Sequence, residues 1–132
     1  MAWQQEGTAI KVTMAAGADL SADQYKFVEV SAANTVTLCN ATTDNPLGVL
    51  QNKPDAAGKA AEVLVAGISK VVTAGAMVSN GSIQIGTDAS GLAEAKTVVG
   101  TGRVVGQPLT ASGGANQIIT AAINCLNPFE TA

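Results

Sequence analysis

Histidine is absent from all 132 residues, and this absence restricts the chemistry that the chain can perform. Histidine is the commonest general base and the commonest metal ligand, so both roles are missing together, and a Ser-His-Asp triad is excluded. Ser69 and Lys70 could form a serine-lysine pair, but adjacent residues of a strand point to opposite faces of a sheet. The ten acidic residues occur singly and never at the spacing of a carboxylate pair. We therefore expect no enzymatic activity, no metal and no cofactor.

Basic residues are few and never clustered. The chain has seven of them, a net charge of −3 and a pI near 4.7. Phosphate backbones are bound by clustered positive charge, so nucleic acid is not an expected partner. No apolar run approaches the roughly 18 residues that cross a bilayer, and residues 1–6 lack the basic and apolar regions of a signal peptide. We expect synthesis in a cytoplasm and no membrane partner.

Cysteine is also scarce, with Cys39 and Cys125 as its two instances. They show no metal-ligand spacing, and each lies in sequence typical of a strand. Free cysteines usually behave as small buried apolar residues, and a cytoplasmic origin argues against a disulfide. We expect both thiols to be free.

The residues that are present favour an all-β fold. Apolar residues make up 47% of the chain, only 3% is aromatic, and 14 glycines separate the short apolar runs. Alternating small and β-branched residues are typical of strands. The predicted strand segments are Thr8–Met14, Gln24–Val30, Asn34–Leu38, Leu47–Gln51, Ala61–Ala66, Ile68–Thr73, Ile83–Ile85, Leu92–Ala95, Arg103–Leu109 and Gln117–Leu126. Gly67 predicts a bulge or bend between two of them. We predict about eight to ten short strands in a small barrel or sandwich.

Three similarities indicate that the chain contains an internal duplication. The triplet Ala-Gly-Ala at 16–18 recurs at 74–76, and Gly48 falls on Gly106 at the same offset of 58 residues. With three residues of slippage, 62–66 falls on 117–121. The predicted halves are 16–73 and 74–126 within a single domain, 8–126. Chance similarity is the alternative, because Ala, Gly and Val dominate the composition.

The two ends carry isolated aromatic residues outside this domain. The N-terminal arm, 1–7, contains the one tryptophan, Trp3, and the C-terminal tail, 127–132, contains Phe129. Tryptophan is enriched at interface anchors, which favours an arm that docks on a neighbouring subunit. The alternative is an arm that folds back on its own domain. Our candidate partner-binding residues are Trp3, Gln4, Gln5 and Phe129.

The order of short motifs resembles that of the capsid cement, or head decoration, proteins of tailed bacteriophages. The similarity extends over about 25–123. The motifs are Tyr25-x-Phe27-Val28, Pro46-Leu47-Gly48-Val49-Leu50, Glu62-Val63-Leu64-Val65-Ala66-Gly67, Val72-Thr73-Ala74-Gly75-Ala76-Met77-Val78 and Val105-Gly106-Gln107-Pro108-Leu109. The resemblance implies a β-rich protein, often a homotrimer, made in the host bacterial cytoplasm. It would sit on the outer surface of an assembled virion head and clamp neighbouring major capsid proteins against the pressure of packaged DNA.

Two other classes of function are left open by the sequence. A β-rich carbohydrate- or receptor-binding module on a virion or cell surface would normally display aromatic residues in its middle, where only Tyr25 and Phe27 are available. A small β-rich enzyme subunit has the least support, because histidine is absent.

Overall fold

The structure, a computed structural model, describes residues 9–79, 83–96 and 103–124. These residues form nine β-strands: β1 (Ile10–Ala16), β2 (Phe27–Ala32), β3 (Thr35–Leu38), β4 (Gly48–Leu50), β5 (Ala60–Val72), β6 (Gln84–Thr87), β7 (Ala93–Lys96), β8 (Gly106–Pro108) and β9 (Ile118–Ile123). The described part contains no helix, and therefore none that could cross a membrane. The predicted all-β class and number of strands are confirmed.

The first five strands close into a barrel. Their order is β1-β3-β2-β4-β5, and β5 pairs back with β1. All the pairings are antiparallel except that of β1 with β3, in which Ala15 faces Thr35. Closure satisfies backbone groups that an open sheet would leave at its edges. Of the two predicted architectures, the structure is therefore the barrel.

Strand β5 joins this barrel to the remaining strands. Its first half pairs with β1 and β4, and its second half, from Gly67 onward, pairs with β9. Gly67 has a φ of 127°, which residues with a side chain rarely adopt. The bend predicted at Gly67 is therefore present. The flanking segments, 61–66 and 68–73, do not pair with each other as predicted, because they form one continuous strand shared by two sheets.

The second set of strands repeats the pairing of the first. Its order is β5-β9-β8-β6-β7, and a parallel bridge between Thr73 and Ala93 returns to the end of β5. That bridge corresponds, 58 residues on, to the pairing of Ala15 with Thr35. We call residues 10–66 unit 1 and residues 67–123 unit 2.

Main-chain hydrogen bonds recur in the two units at spacings of 57 or 58 residues. The N–H donors and carbonyl acceptors in unit 1 are Ala16 to Lys59, Gly17 to Val36, Leu20 to Pro54, Leu47 to Val28, and Gln51 to Glu62. Their counterparts in unit 2 are Thr73 to Gln117, Ala74 to Ala93, Met77 to Ser112, Val105 to Ile85, and Leu109 to Thr120. Loops and strands thus repeat together, which supports the predicted duplication over chance similarity.

Two details of the predicted duplication are wrong. The units begin about six residues earlier than 16 and 74, because the strand before each Ala-Gly-Ala turn belongs to the barrel that follows it. The third anchor also has a different offset. Glu62 corresponds to Thr120 and not to Gln117, since both carbonyls accept the equivalent hydrogen bond, so the three-residue slippage does not exist.

The core connects the two units asymmetrically. Inside unit 1 lies a cluster that includes Val28, Val36, Leu50, Ala61 and Val63. The larger cluster fills unit 2 and continues onto the outer face of unit 1, through Phe27, Cys39, Val49 and Leu64. Burying a large apolar side chain contributes about 1.5 to 3 kcal/mol, so the buried face of unit 1 also stabilises unit 2.

The corresponding outer face of unit 2 is different. By strand pairing, the counterparts of Phe27, Val49 and Leu64 are Gln84, Gln107 and Ala122, each half-buried. A further unit stacked there would leave glutamine amides inside an apolar contact, which is costly. The face that supports unit 2 therefore has no equivalent for a third unit.

Candidate binding surfaces

The predicted partner-binding residues, Trp3, Gln4, Gln5 and Phe129, all lie outside the residues that the structure describes. The structure does show where the segments that carry them join the domain. Ile10, at the start of β1, pairs with Ala66, and Ile123, at the end of β9, pairs with the next residue of β5, Gly67. Both end segments therefore leave the domain from the middle of β5.

Side-chain contacts reinforce the meeting of the two ends. The Asn124 side-chain amide donates a hydrogen bond to the carbonyl oxygen of Val65, on unit 1. Ala9, immediately before β1, packs against the apolar cluster of unit 2. The chain thus enters and leaves the domain at the junction of the two units, which sequence spacing alone did not indicate.

One end of the first barrel is open and apolar. Val12 pairs with Val63, Val30 pairs with Val36, and both partners are fully buried in the unit 1 core. Paired residues share a face of the sheet, so Val12 and Val30 face inward. They are nevertheless 37% and 52% exposed. Because β2 runs opposite to β1 and β3, both valines lie at the same end of the barrel, and we call this the mouth of unit 1.

The mouth of unit 2 is closed by unit 1. Strand pairing makes Ser69 the counterpart of Val12 and Thr87 the counterpart of Val30, and both are almost completely buried. The Gln51 side-chain amide donates to the Ser69 hydroxyl over 3.0 Å, and the Thr87 hydroxyl is hydrogen-bonded to the Cys39 thiol. The same position in the fold is thus covered and polar in unit 2, and exposed and apolar in unit 1.

A cluster of acidic groups surrounds Cys39. The thiol and the carboxylates of Glu29 and Asp44 place ligand atoms within 4.8 Å of one another. The Asn40 and Ala41 N–H groups donate to the Asp44 carboxylate, at 2.8 and 3.0 Å. The sequence analysis missed this cluster, because its members lie in separate strands and a loop.

The same surroundings determine the protonation of the cluster. Burial, with a smaller contribution from the Glu29 and Asp44 carboxylates, raises the pKa of the Cys39 thiol to about 12. Desolvation and then the neighbouring Asp44 raise the pKa of Glu29 above its ordinary value. Cys39 is therefore a buried, protonated thiol at neutral pH, as expected from the sequence, whereas Cys125 lies outside the described residues. A cation held by these three groups would have to displace protons, and the described residues leave no buried side-chain polar atom without a partner.

The Ser69 and Lys70 side chains are engaged separately. The Ser69 hydroxyl donates to the main-chain oxygen of Lys70 and accepts from Gln51. The Lys70 ammonium lies 5.8 Å from the centroid of the Tyr25 ring, a cation–π distance. These contacts tie unit 2 to unit 1.

The aromatic residues in the middle of the chain are also occupied. Phe27 is fully buried, and Tyr25 is half-buried, packed against the larger core cluster and covered by Lys70. A sugar-binding platform requires an accessible aromatic face, and neither ring offers one as it stands in the structure.

No protein-family model and no curated protein matches the sequence. A search of solved structures does find a match in fold. The crystal structure of the head fiber gp8.5 N base in bacteriophage phi29 superposes with a TM-score of 0.66 at 14% sequence identity. The match covers 88% of this chain and 94% of that one. This chain therefore has the fold of that phage protein over nearly the whole length of both.

Proposed function

We propose that this protein is a structural component of a phage virion, namely a decoration or cement protein that binds the outer surface of the assembled head. It would stabilise contacts between major capsid proteins. The observation that carries the proposal is the match in fold to a phage head fiber base over 88% of this chain. The motif order of residues 25–123, which resembles that of head decoration proteins, supports the same function independently of the structure.

The architecture suits this role physically. The two units share a strand and one continuous apolar cluster, so they form a single body. Both end segments leave that body at the middle of β5 and carry Trp3 and Phe129, the proposed capsid contacts. Each bound copy adds its binding free energy to the assembled shell alone, so many weak contacts in parallel stabilise the shell. The proposed unit of binding is the homotrimer.

The proposal can be tested by adding purified protein to heads that lack it. We expect regular density on the outer surface by electron microscopy and slower loss of packaged DNA on heating. Removal of residues 1–7 should lower occupancy on the heads while the circular dichroism of the domain is unchanged. Removal of 127–132 tests the other end by the same assay. Heads that bind no protein at any concentration would contradict the proposal, and occupancy unchanged after removal of 1–7 would exclude the arm.

The carbohydrate- or receptor-binding alternative predicts a different outcome. It requires binding to isolated glycans or host cells by the domain without heads. The buried Phe27 and covered Tyr25 give that alternative no accessible aromatic face within the described residues. A glycan array with the purified domain distinguishes the two functions.

A further inference from the structure

The mouth of unit 1 lacks the cover that the internal repeat provides for unit 2. In unit 2, the outer face of unit 1 presents Phe27, Val49 and Leu64 to the core. In unit 1, the equivalent opening exposes Val12 and Val30, although their side chains face the barrel interior. Ile10, on the same strand, is 61% exposed. Inward-facing valines left in water forfeit burial energy that an apolar occupant would recover.

The free face of unit 2 is not suited to cover this mouth in a second copy. The counterparts of Phe27 and Val49 on that face are Gln84 and Gln107. Placing their amides against Val12 and Val30 would bury polar groups without partners. An occupant of the right chemistry must instead supply a large apolar side chain, as Phe27 does for unit 2.

The N-terminal segment can supply that side chain. Trp3 is seven residues from Ile10, so an extended arm reaches about 23 Å beyond the domain. The chain enters β1 from the direction of unit 2, because Ala9 packs against the unit 2 cluster. The arm therefore begins by leading away from the mouth of its own unit 1 and toward the surroundings of the molecule.

We propose that the mouth of unit 1 receives the N-terminal segment, 1–8, of a second copy of this chain, with Trp3 packed against Val12 and Val30. The inference rests on the proposed homotrimer for the number of copies, and it assigns the surface through which the copies join. Each copy gives one arm and receives another, so the contact is heterologous and closes into a ring. Occupancy of the mouth does not require the phage head.

Trp3 is the one tryptophan and reports directly on this contact through its fluorescence. Emission should shift to shorter wavelength as protein concentration rises, in step with the oligomer measured by light scattering. Val12→Lys and Val30→Lys should each weaken association at least tenfold, or about 1.4 kcal/mol, and leave Trp3 in water. Leu109→Lys is the matched control, because Leu109 is also exposed, at 39%, but lies outside the mouth. Circular dichroism verifies that each variant is folded.

A mixing experiment separates a second copy from other occupants. Trp3→Ala copies keep an intact mouth but have no reporter, whereas Val30→Lys copies keep the reporter but have a charged mouth. On mixing, we expect the tryptophan of the second variant to shift to shorter wavelength. Emission that is independent of both concentration and mixing would overturn the proposal, and blue-shifted emission in a monomer would assign the mouth to the chain's own arm. Head binding is absent from these measurements, so failure of the proposed function would not produce either result.

Discussion

Gly48 and Gly106 occupy equivalent positions in β4 and β8, and replacing either by alanine should destabilise the protein. A Cβ atom at Gly48 would overlap the carbonyl oxygen of Leu64 and lie 3.1 Å from Val63 Cγ1. At Gly106 it would overlap the carbonyl oxygen of Ala122 and lie 3.3 Å from the Cα of Ile123. The obstacles are backbone atoms of the neighbouring strand, so relief requires the strand pairing itself to move.

The size of the effect follows from two opposing terms. Overpacking a rigid site costs about 1 to 3 kcal/mol, and contact with backbone belongs at the upper end of that range. Alanine also reduces the conformational freedom of the unfolded chain, which offsets about 0.4 to 1 kcal/mol. The net loss is about 2 kcal/mol, which for a domain of this size lowers Tm by about 8 °C.

Calorimetric melting of Gly48→Ala and Gly106→Ala, each alone, measures the prediction. Both should lose a similar amount, because the two sites have the same surroundings. Gly75→Ala is the matched control, since a Cβ there meets no atom within 4 Å, and we expect its Tm to be equal or slightly higher. If either strand variant melts with the wild type while the control behaves as expected, the assigned register of that strand pair is incorrect.

Three further perturbations test other parts of the structure. Phe27→Ala should cost about 3 to 5 kcal/mol and leave a single melting transition, because Phe27 belongs to the cluster shared by both units; two separate calorimetric transitions would contradict that cluster. Glu94→Gln should cost about 1 to 2 kcal/mol in urea unfolding, since it leaves the 96% buried Lys96 without its 2.6 Å partner, and Lys96→Met should cost less. Glu29→Gln should raise Tm at neutral pH. The raised pKa of Glu29 means that the folded state holds its proton more tightly, so the carboxylate lowers stability as pH rises above that pKa. The advantage should vanish below the ordinary value of 4.5, and an equal gain at both pH values would refute this explanation.

The sequence predicted the strands well because their signal is local. Alternation of apolar residues placed β3 over Asn34–Leu38, and the structure has Thr35–Leu38. Glycine marked the bend of β5 at Gly67, where a positive φ excludes most side chains. The third anchor of the duplication was wrong because short runs of Val, Ile and Ala match one another at several offsets. Hydrogen-bond partners remove that ambiguity.

The candidate surfaces were less predictable, because they depend on contacts between distant residues. Glu29 and Asp44 lie 15 positions apart and meet only when β2 and the loop after β3 fold together. The exposed mouth of unit 1 had a signal in the sequence, namely valine at the counterparts of Ser69 and Thr87. That signal becomes readable only after the correct repeat spacing is known, and the spacing came from the barrels.

By itself, the sequence determined that the chain forms short strands separated by glycine turns, that it repeats once, and that it lacks the residues of common catalytic sites. These properties depend on neighbouring residues and on composition. The tertiary structure decided that the strands close into barrels, that unit 1 covers one opening and leaves another exposed, and that both ends leave from one place. Barrel closure depends on the register between strands far apart in the chain, and register is determined by the packing of the complete core.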